Sequence, residues 1–408
     1  MDFNDTPEEA AFRAQARDWL RTNAPQHALR ADEPYDEVKL VERGRAWQLC
    51  KAEAGFAGIV WPRELGGRGA TAMEEVIFDE EERKYHIPTG PFIVIGMSMA
   101  IPTLMTHGTP EQLTALARPT LRGELTWCQL FSEPGSGSDL AGLRTRAVRD
   151  GDDWIINGQK VWSSWAHLAD RAILLARTDP AVPKHRGLSF FVLDMKTPGI
   201  EVRRIRQISG KSDFNETFLT DVRIPDSNRV GAIGEGWKCA MTTLINERAS
   251  PLEDTGDQFS LSSLIEMAGS VLRDGKPALA DSSVRQKIAR WYAQERALKH
   301  FRARLLTGIS RGRPVGAEAA LSKLVYARKL QETTRFAMEL QEYAGVVSGP
   351  ANRAQTQVFD AYFWSAAVRI AGGTDEILRT QIAERVLGLP SDIRTDKDLP
   401  FNQLPGPT

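Results

Sequence analysis

Cysteine is scarce in this chain: three in 408 residues, Cys50, Cys128 and Cys239, far apart and without a C-x-x-C pair. That spacing excludes a disulfide framework and points to a reducing, cytoplasmic setting. The six histidines are scattered and show no H-E-x-x-H or H-x-x-x-H spacing, so no protein-held metal is expected. An excess of one charge is missing too. The 52 Lys+Arg against 53 Asp+Glu leave a formal charge of -1, which argues against a nucleic-acid binder. Long hydrophobic runs are absent: the most apolar stretch, 92–101, is followed by Pro102 and is far shorter than the ~20 residues a bilayer requires. Met1-Asp2-Phe3-Asn4-Asp5 carries acids where a signal peptide needs a basic start. No membrane span is expected.

What is present is ordinary globular composition, 42% hydrophobic and 26% charged. A prior of ~150 residues per domain suggests two or three domains. Residues 1–126 read as helical. Thr6-Pro7-Glu8-Glu9 supplies an N-cap, an N1 proline and first-turn acids ahead of the apolar face Phe12, Ala16, Trp19, Leu20. A second helix is expected over 74–84, and Thr109-Pro110-Glu111 opens another. Over 127–236 the texture becomes β. Trp154-Ile155-Ile156, Asn157-Gly158 and Gln159-Lys160-Val161-Trp162 read as a hairpin turning at Asn-Gly. Residues 172–176, 188–193 and 200–202 read as further strands. From 237 to 408 the helical period returns, with Val284, Ile288, Trp291, Tyr292, Leu298, Phe301 and Leu305 on one apolar face. The last ten residues, with three prolines, read as a loose tail.

The phosphate-loop patterns fail. Gly210-Lys211-Ser212 resembles the end of a Walker A loop, but its required upstream glycine is Ile205; Gly135-Ser136-Gly137 lacks a third glycine, position 140 being Leu. What holds is Phe131-Ser132-Glu133-Pro134-Gly135-Ser136-Gly137-Ser138-Asp139, a Gly/Ser loop whose small residues let backbone N–H groups and hydroxyls approach a flat or anionic ligand. Composition alone favours the plainer reading, a surface turn.

That stretch resembles the first signature of the acyl-CoA dehydrogenase family, roughly [ST]-E-P-x-[GA]-G-S-D. The similarity extends through Trp61-Pro62-Arg63-Glu64-Leu65-Gly66-Gly67, Gly108-Thr109-Pro110-Glu111-Gln112 and Gly373-Thr374-Asp375-Glu376-Ile377, in the family's order over nearly the whole chain. The resemblance implies an N-terminal α-helical domain, a central β-barrel and a C-terminal four-helix bundle. It implies FAD, with the isoalloxazine against Gln129, Phe131 and Ser132, with Gly137 in the same loop, and against Trp162, Ser163 and Ser164. Ser138 falls where the family contacts the CoA part of the substrate, and Thr374 and Glu376 match residues at the cofactor's polar portion.

The chemistry that this family carries out needs a base for the proton α to a thioester carbonyl, while the β hydrogen leaves as hydride to flavin N5. Many members place a Glu just before the Gly-Thr of the C-terminal motif; here that residue is Gly372. A second family pattern supplies the Glu from an earlier helix in a Glu-Arg pair, and this chain carries Glu247-Arg248 there. Glu247 is therefore the expected catalytic base, its pKa raised by burial; the plainer alternative is a solvated helix Glu paired with a nearby base. Arg248 and Gly372 are expected at the substrate, the backbone N–H of Gly372 polarising the thioester carbonyl. The missing side chain frees room for a branched or bulky acyl group, and Pro251 is expected to bend the helix away from it.

Other departures point to a partner. Homotetrameric members grip the FAD pyrophosphate of a neighbour through R-x-x-F-G and Q-x-x-G-G-x-G segments. Here these read Val271-Leu272-Arg273-Asp274-Gly275 and Gln341-Glu342-Tyr343-Ala344-Gly345-Val346-Val347, and the family's Arg-Asp pair is Phe363-Trp364. Asp274 would repel a pyrophosphate. The pattern resembles actinobacterial α2β2 heterotetramers linked to steroid side-chain degradation, in which a second acyl-CoA dehydrogenase-like subunit shares each FAD. An electron-transfer flavoprotein is the acceptor this implies. Two alternatives stand beside it: a flavin monooxygenase or oxidase on the same fold, and a non-catalytic scaffold subunit.

Overall fold

Thr6 opens the first helix as the spacing predicts. Its hydroxyl accepts from Glu9 N, the Glu9 carboxylate accepts from Thr6 N, and Pro7 starts α1 (Pro7–Asn23). Phe12, Ala16 and Leu20 are buried in one cluster with Trp47 of α2 (Glu37–Glu53) and with Ile77 and Phe78 of α3 (Ala72–Glu82). Helix α3 stops two residues earlier than expected, its basic end passing into a 3₁₀ turn at Arg83–Tyr85. Next come α4 (Gly90–Val94), a π-helical turn (Ile95–Ala100), α5 (Ile101–His107) and α6 (Pro110–Leu121). A Thr109/Gln112 capping box starts α6, and the Gln112 side-chain amide donates to the carbonyls of Ser227 and Arg229, tying this helix to the β region. The computed structural model describes residues 5–29, 36–88, 90–249, 259–310, 316–347, 353–393 and 396–404.

One sheet follows: β1 (Trp127–Leu130), β2 (Arg146–Asp150), β3 (Asp153–Lys160), β4 (Arg171–Arg177), β5 (Leu188–Asp194), β6 (Ile200–Ile205), β7 (Phe214–Pro225) and β8 (Arg229–Val230). Its pairing path runs β6-β7-β3-β2-β4-β5-β8, with β1 parallel to β4. Among the described residues no pairing joins β6 to β8, so the β region expected as a barrel is an open sheet. Strand β4 is an almost unbroken apolar run because both its faces are covered. Leu174 enters one cluster with Trp154, Ile156 and Phe191, while Ile173 and Leu175 enter another with Trp127, Phe190 and the helices. Each such side chain, fully buried, contributes roughly 1.5–3 kcal/mol.

The hairpin expected at Asn157-Gly158 turns elsewhere. Strands β2 and β3 meet at Gly151, φ 63°, and β3 runs straight through Asn157-Gly158 with a register shift between Ile156 and Gly158. The Asn-Gly pair is a bulge. Asn157 exchanges hydrogen bonds with Asp221, 3.0 Å each way, and a Cβ on Gly158 would come within 2.3 Å of Thr145 Oγ1.

Helix α7 (Gly236–Ala249) packs on β5 and α5, and it belongs to one compact unit with the described residues of 5–29, 36–249 and 392–404. The second unit, the described residues of 259–391, is mainly helical: α8 (Leu261–Ser270), a small hairpin β9 (Leu272–Arg273) and β10 (Lys276–Pro277), α9 (Ser282–Ser310), α10 (Ala320–Leu340), α11 (Arg353–Val368) and α12 (Asp375–Arg385). Val284, Ile288 and Trp291 of α9 are buried with Leu264, Phe336, Leu340 and Val358, as the apolar face required, whereas Tyr292 is exposed. The tail is not loose over its described part. Phe401 is buried, and its N–H donates to Val182 O at 2.9 Å. Residues 405–408 of that tail, and Pro251, lie outside the described residues.

The first unit carries a pH dependence of its own. Burial pushes the Glu75 carboxyl of α3 up to about 7, and Asp79 one turn later up to about 6, each also repelled by a neighbouring acid. Both hold protons in the folded chain where the unfolded chain has released them, so their contribution to stability falls as pH rises from about 4 to about 7. Glu75→Gln should therefore gain stability over the parent between pH 5 and pH 8, by roughly 1–2 kcal/mol for a half-buried group. Urea unfolding at the two pH values checks this, and a difference independent of pH would refute it.

Candidate functional site

The Gly/Ser loop leaves the sheet at the end of β1. Phe131 is buried edge-on against Phe190, ring centroids 5.8 Å apart, which anchors the loop's first residue. Gln129 and Ser132 are half-buried, and the Ser132 carbonyl accepts from Val161 N at 2.9 Å, laying the loop beside the end of β3. Glu133 and Ser136 close a tight bridge through their backbones. Gly137, Ser138 and Asp139 are exposed, and a Cβ on Gly137 would meet nothing within 4 Å, so the rim of the loop is open.

Beneath that rim sits an ion pair that sequence reasoning missed. Lys160 is 0% exposed and donates to Glu133 Oε1 and to the Phe131 carbonyl, both at 2.9 Å. Glu133 also accepts from the N–H groups of Arg144 and Thr145, at 2.6 and 2.8 Å. Burial alone would raise the Glu133 carboxyl, but the Lys160 ammonium and these N–H donors outweigh it and hold the pKa below the ordinary value. Burial lowers the Lys160 pKa in spite of its partner. A lysine at an inward position of a strand, two residues before the Trp-Ser-Ser stretch, was the available signal.

Two residues beyond Lys160 the backbone turns left-handed. Trp162 has φ 61° and is 59% exposed, with Phe214 edge-on to it at 5.9 Å. A bulky residue at positive φ, with an aromatic face left in the open, is strained in a way that marks functional sites. Ser163 is the reverse: 1% exposed, with its Oγ buried and without a hydrogen-bond partner among the described residues. Its backbone is fixed by Asn215, whose side chain also meets His167 at 3.0 Å. Ser164 is half-buried. A flat exposed indole beside an unsatisfied hydroxyl suits a planar group with a polar edge, so the residues present fit a flavin.

Glu247 lies near the end of α7, a half-buried residue one turn after Thr243. The helix is locked in place. Thr243 Oγ1 lies 2.8 Å from Thr103 Oγ1, Thr242 Oγ1 lies 2.8 Å from His107 Nε2, and a Cβ on Gly236 would overlap the Ser189 backbone. Arg248 is in the same helix, but its side chain lies outside those described.

In the second unit Gly372 and Gly373 have φ 64° and 95°, the left-handed region that favours glycine. They lead into α12, where Thr374 is the N-cap and accepts from Ile377 N. Asp375 is buried and takes the Arg369 guanidinium, the Lys323 ammonium bonds the Gly373 carbonyl, and Glu376 is exposed. Asp274 and Gly275, both at positive φ, form the two-residue turn between β9 and β10. That turn chemistry is the local reason for Asp-Gly where the family has Phe-Gly. Phe363 stacks on Phe359 within α11, and Tyr343 and Val346 are exposed. The structure thus gathers the 129–138 loop and residues 162–164 at the β1 and β3 ends, holds Glu247 on α7 in the same unit, and carries Gly372, Thr374 and Glu376 in the other.

The sequence matches the acyl-CoA dehydrogenase N-terminal domain over residues 6–124, the middle domain over 128–222 and the C-terminal domain over 234–387. The acyl-CoA dehydrogenase FadE34 of Mycobacterium tuberculosis is 43% identical over 344 residues, 84% of this chain but 46% of that protein, so the chain spans about half its length. The acyl-CoA dehydrogenase IpdE1 of the same organism is 37% identical over 396 residues, covering 94% of this chain and 98% of that protein. Among solved structures, the Tcur3481-Tcur3483 steroid ACAD superposes with a TM-score of 0.80 at 27% identity, over 96% of this chain and 100% of that one. The chain belongs to the acyl-CoA dehydrogenase family, flavoprotein oxidoreductases that act on the CH–CH bond of acyl-CoA thioesters.

Proposed function

We propose that this chain is the base-carrying subunit of an FAD-dependent acyl-CoA dehydrogenase with a bulky, steroid side-chain substrate. The observation that carries the reading is a carboxylate at Glu247 on a helix locked to α5 and to the sheet, in a chain whose later motif position is the side-chain-free Gly372. FAD, when bound in the seat described below, would supply the acceptor for the β hydride. The residues of this chain do the rest. Gln129, Phe131, Ser132 and Gly137 on one side, and Trp162, Ser163 and Ser164 on the other, would seat the ring, with Thr374 and Glu376 at its polar portion. Ser138 and Arg248 would meet the thioester's CoA end and acyl pocket, Gly372 N–H its carbonyl, and Glu247 would remove the α proton. The domain borders in this reading lie near residues 126 and 236.

The substrate class is supported by the solved relative named as a steroid ACAD, and the second subunit by its name joining two proteins. Within this chain, Asp274 occupies a hairpin turn where a pyrophosphate-binding neighbour would need a cation. Produced alone, the chain is expected to bind FAD poorly. Co-produced with its partner it should form an α2β2 assembly with one FAD per heterodimer, passing electrons to an electron-transfer flavoprotein. Flavin absorbance per subunit, measured with the mass of the assembly, tests this; a flavin-replete homotetramer would refute it. Anaerobic addition of an acyl-CoA thioester should bleach the flavin without added reductant, which an oxygenase needing external reductant would not do. Among the described residues no helix is long and apolar enough to cross a membrane.

A further inference from the structure

The C-terminal segment, which returns to the β region after the helical unit, is tied to the Gly/Ser loop through one buried cation. Arg177, the last residue of β4, is 4% exposed. Its guanidinium donates to the carbonyls of Ala141 (2.6 Å) and Leu143 (3.1 Å), in and just after the 3₁₀ turn that follows the loop, and of Lys184 (3.1 Å) in the β4–β5 connection. The Phe401 ring, 8% exposed, lies with its centroid 3.4 Å from that guanidinium carbon, and Arg144 approaches the same ring at 5.3 Å. The segment is held there by backbone. Phe401 N donates to Val182 O and Asn402 N to Pro180 O, both 2.9 Å, and Pro400 bridges Pro183. A second tie is ionic: Lys184 Nζ lies 3.0 Å from Asp139 of the loop and 3.4 Å from Asp396 of the tail. Glu133, Asp139 and Asp179 attract this charge from outside hydrogen-bond reach and Arg144 repels it, while an aromatic face pressed on the guanidinium adds attraction at contact and excludes water. Without Phe401 the guanidinium would hydrate and release the carbonyls of Ala141 and Leu143.

We propose that residues 396–404 are a positioning strap, with Phe401 as its pin, that holds residues 139–145 so that the exposed Ser138 rim presents a fixed surface to the CoA end of the substrate. The strap rests on the reading of Ser138 as a CoA contact. Phe401 acts through Arg177 and touches no reacting atom, so it is a positioning residue. Its loss should weaken binding of the CoA portion and spare the chemical step.

The test uses the flavin-loaded enzyme co-produced with its partner, as the parent, Phe401→Ala, Phe401→Tyr, Ser138→Ala, and a chain ending at Leu399. Hydrogen exchange reads the loop directly: amides of 139–145 should exchange about tenfold faster in Phe401→Ala and in the truncation, and at the parent rate in Phe401→Tyr. KM for the CoA thioester should rise about tenfold in Phe401→Ala with kcat within about twofold, while KM for the N-acetylcysteamine thioester of the same acyl group stays unchanged. Parent-like exchange in both Phe401→Ala and the truncation would overturn the strap, as would an equal loss with both thioesters. If exchange rises in Phe401→Ala while neither it nor Ser138→Ala alters KM for the CoA thioester, the strap's link to substrate falls together with the Ser138 reading. If only Ser138→Ala alters KM, the Ser138 reading stands and the strap's effect on substrate falls.

Discussion

Glu247→Gln should lower turnover of the acyl-CoA thioester by about 10²–10⁴-fold, the range that a positioned general base contributes. The substitution keeps the volume of the side chain, and it removes the negative charge and with it the capacity to take a proton. Helix α7 should not move, because its place is set by the Thr103–Thr243 and His107–Thr242 contacts and by the close seat of Gly236 on Ser189. Flavin content and thioester affinity should therefore match the parent, and anaerobic mixing should leave the flavin oxidised over the time in which the parent bleaches. Bleaching at the parental rate would remove Glu247 from the role of base. No other carboxylate could be put at Gly372 in its stead without cost, since φ 64° there disfavours any residue with a Cβ.

Lys160→Met should destabilise the first unit by about 3–5 kcal/mol, the usual result of removing one partner from a buried pair. Methionine fills the space of the lysine stem, but Glu133 would lose the cation bonded to it and keep the Arg144 and Thr145 N–H groups and the more distant charge of Arg177. The Phe131 carbonyl would also lose its donor, freeing the start of the Gly/Ser loop. Urea unfolding followed by tryptophan fluorescence measures the loss, and flavin affinity should fall with it. The double variant Lys160→Met/Glu133→Gln should recover a large part of the stability, because it removes the stranded charge. A single-variant loss below about 1 kcal/mol would show that water reaches Glu133 and that the pair does not hold the loop.

The helix starts at Thr6-Pro7 and Thr109-Pro110 were legible because a cap acts within about four residues of itself and depends little on distant contacts. The β4 and β5 runs were legible for a similar reason, an apolar stretch being buried whatever covers it. Asn157-Gly158 shows the limit. The dipeptide suits a tight turn, yet Thr145 packs where a Gly158 side chain would stand and Asp221 takes both hydrogen bonds of Asn157, so tertiary partners make it a bulge. The tail was misread because proline content reports local stiffness and says nothing of a pocket for Phe401 between two arginines.

By itself the sequence determined the order of helical, β and helical regions, the Gly/Ser loop, and the presence of Glu247-Arg248 in a chain that has Gly372 before its Gly-Thr motif. These rest on residue type and spacing, which the chain carries before it folds. Only the tertiary structure decided that Lys160 and Glu133 share a buried bond, that Trp162 is held open at positive φ beside an unsatisfied Ser163, and that Phe401 covers Arg177. The physical reason is common to all three. A charge, a strained dihedral or a lone ring acquires its energy from groups far away in sequence, and burial brings those groups within reach.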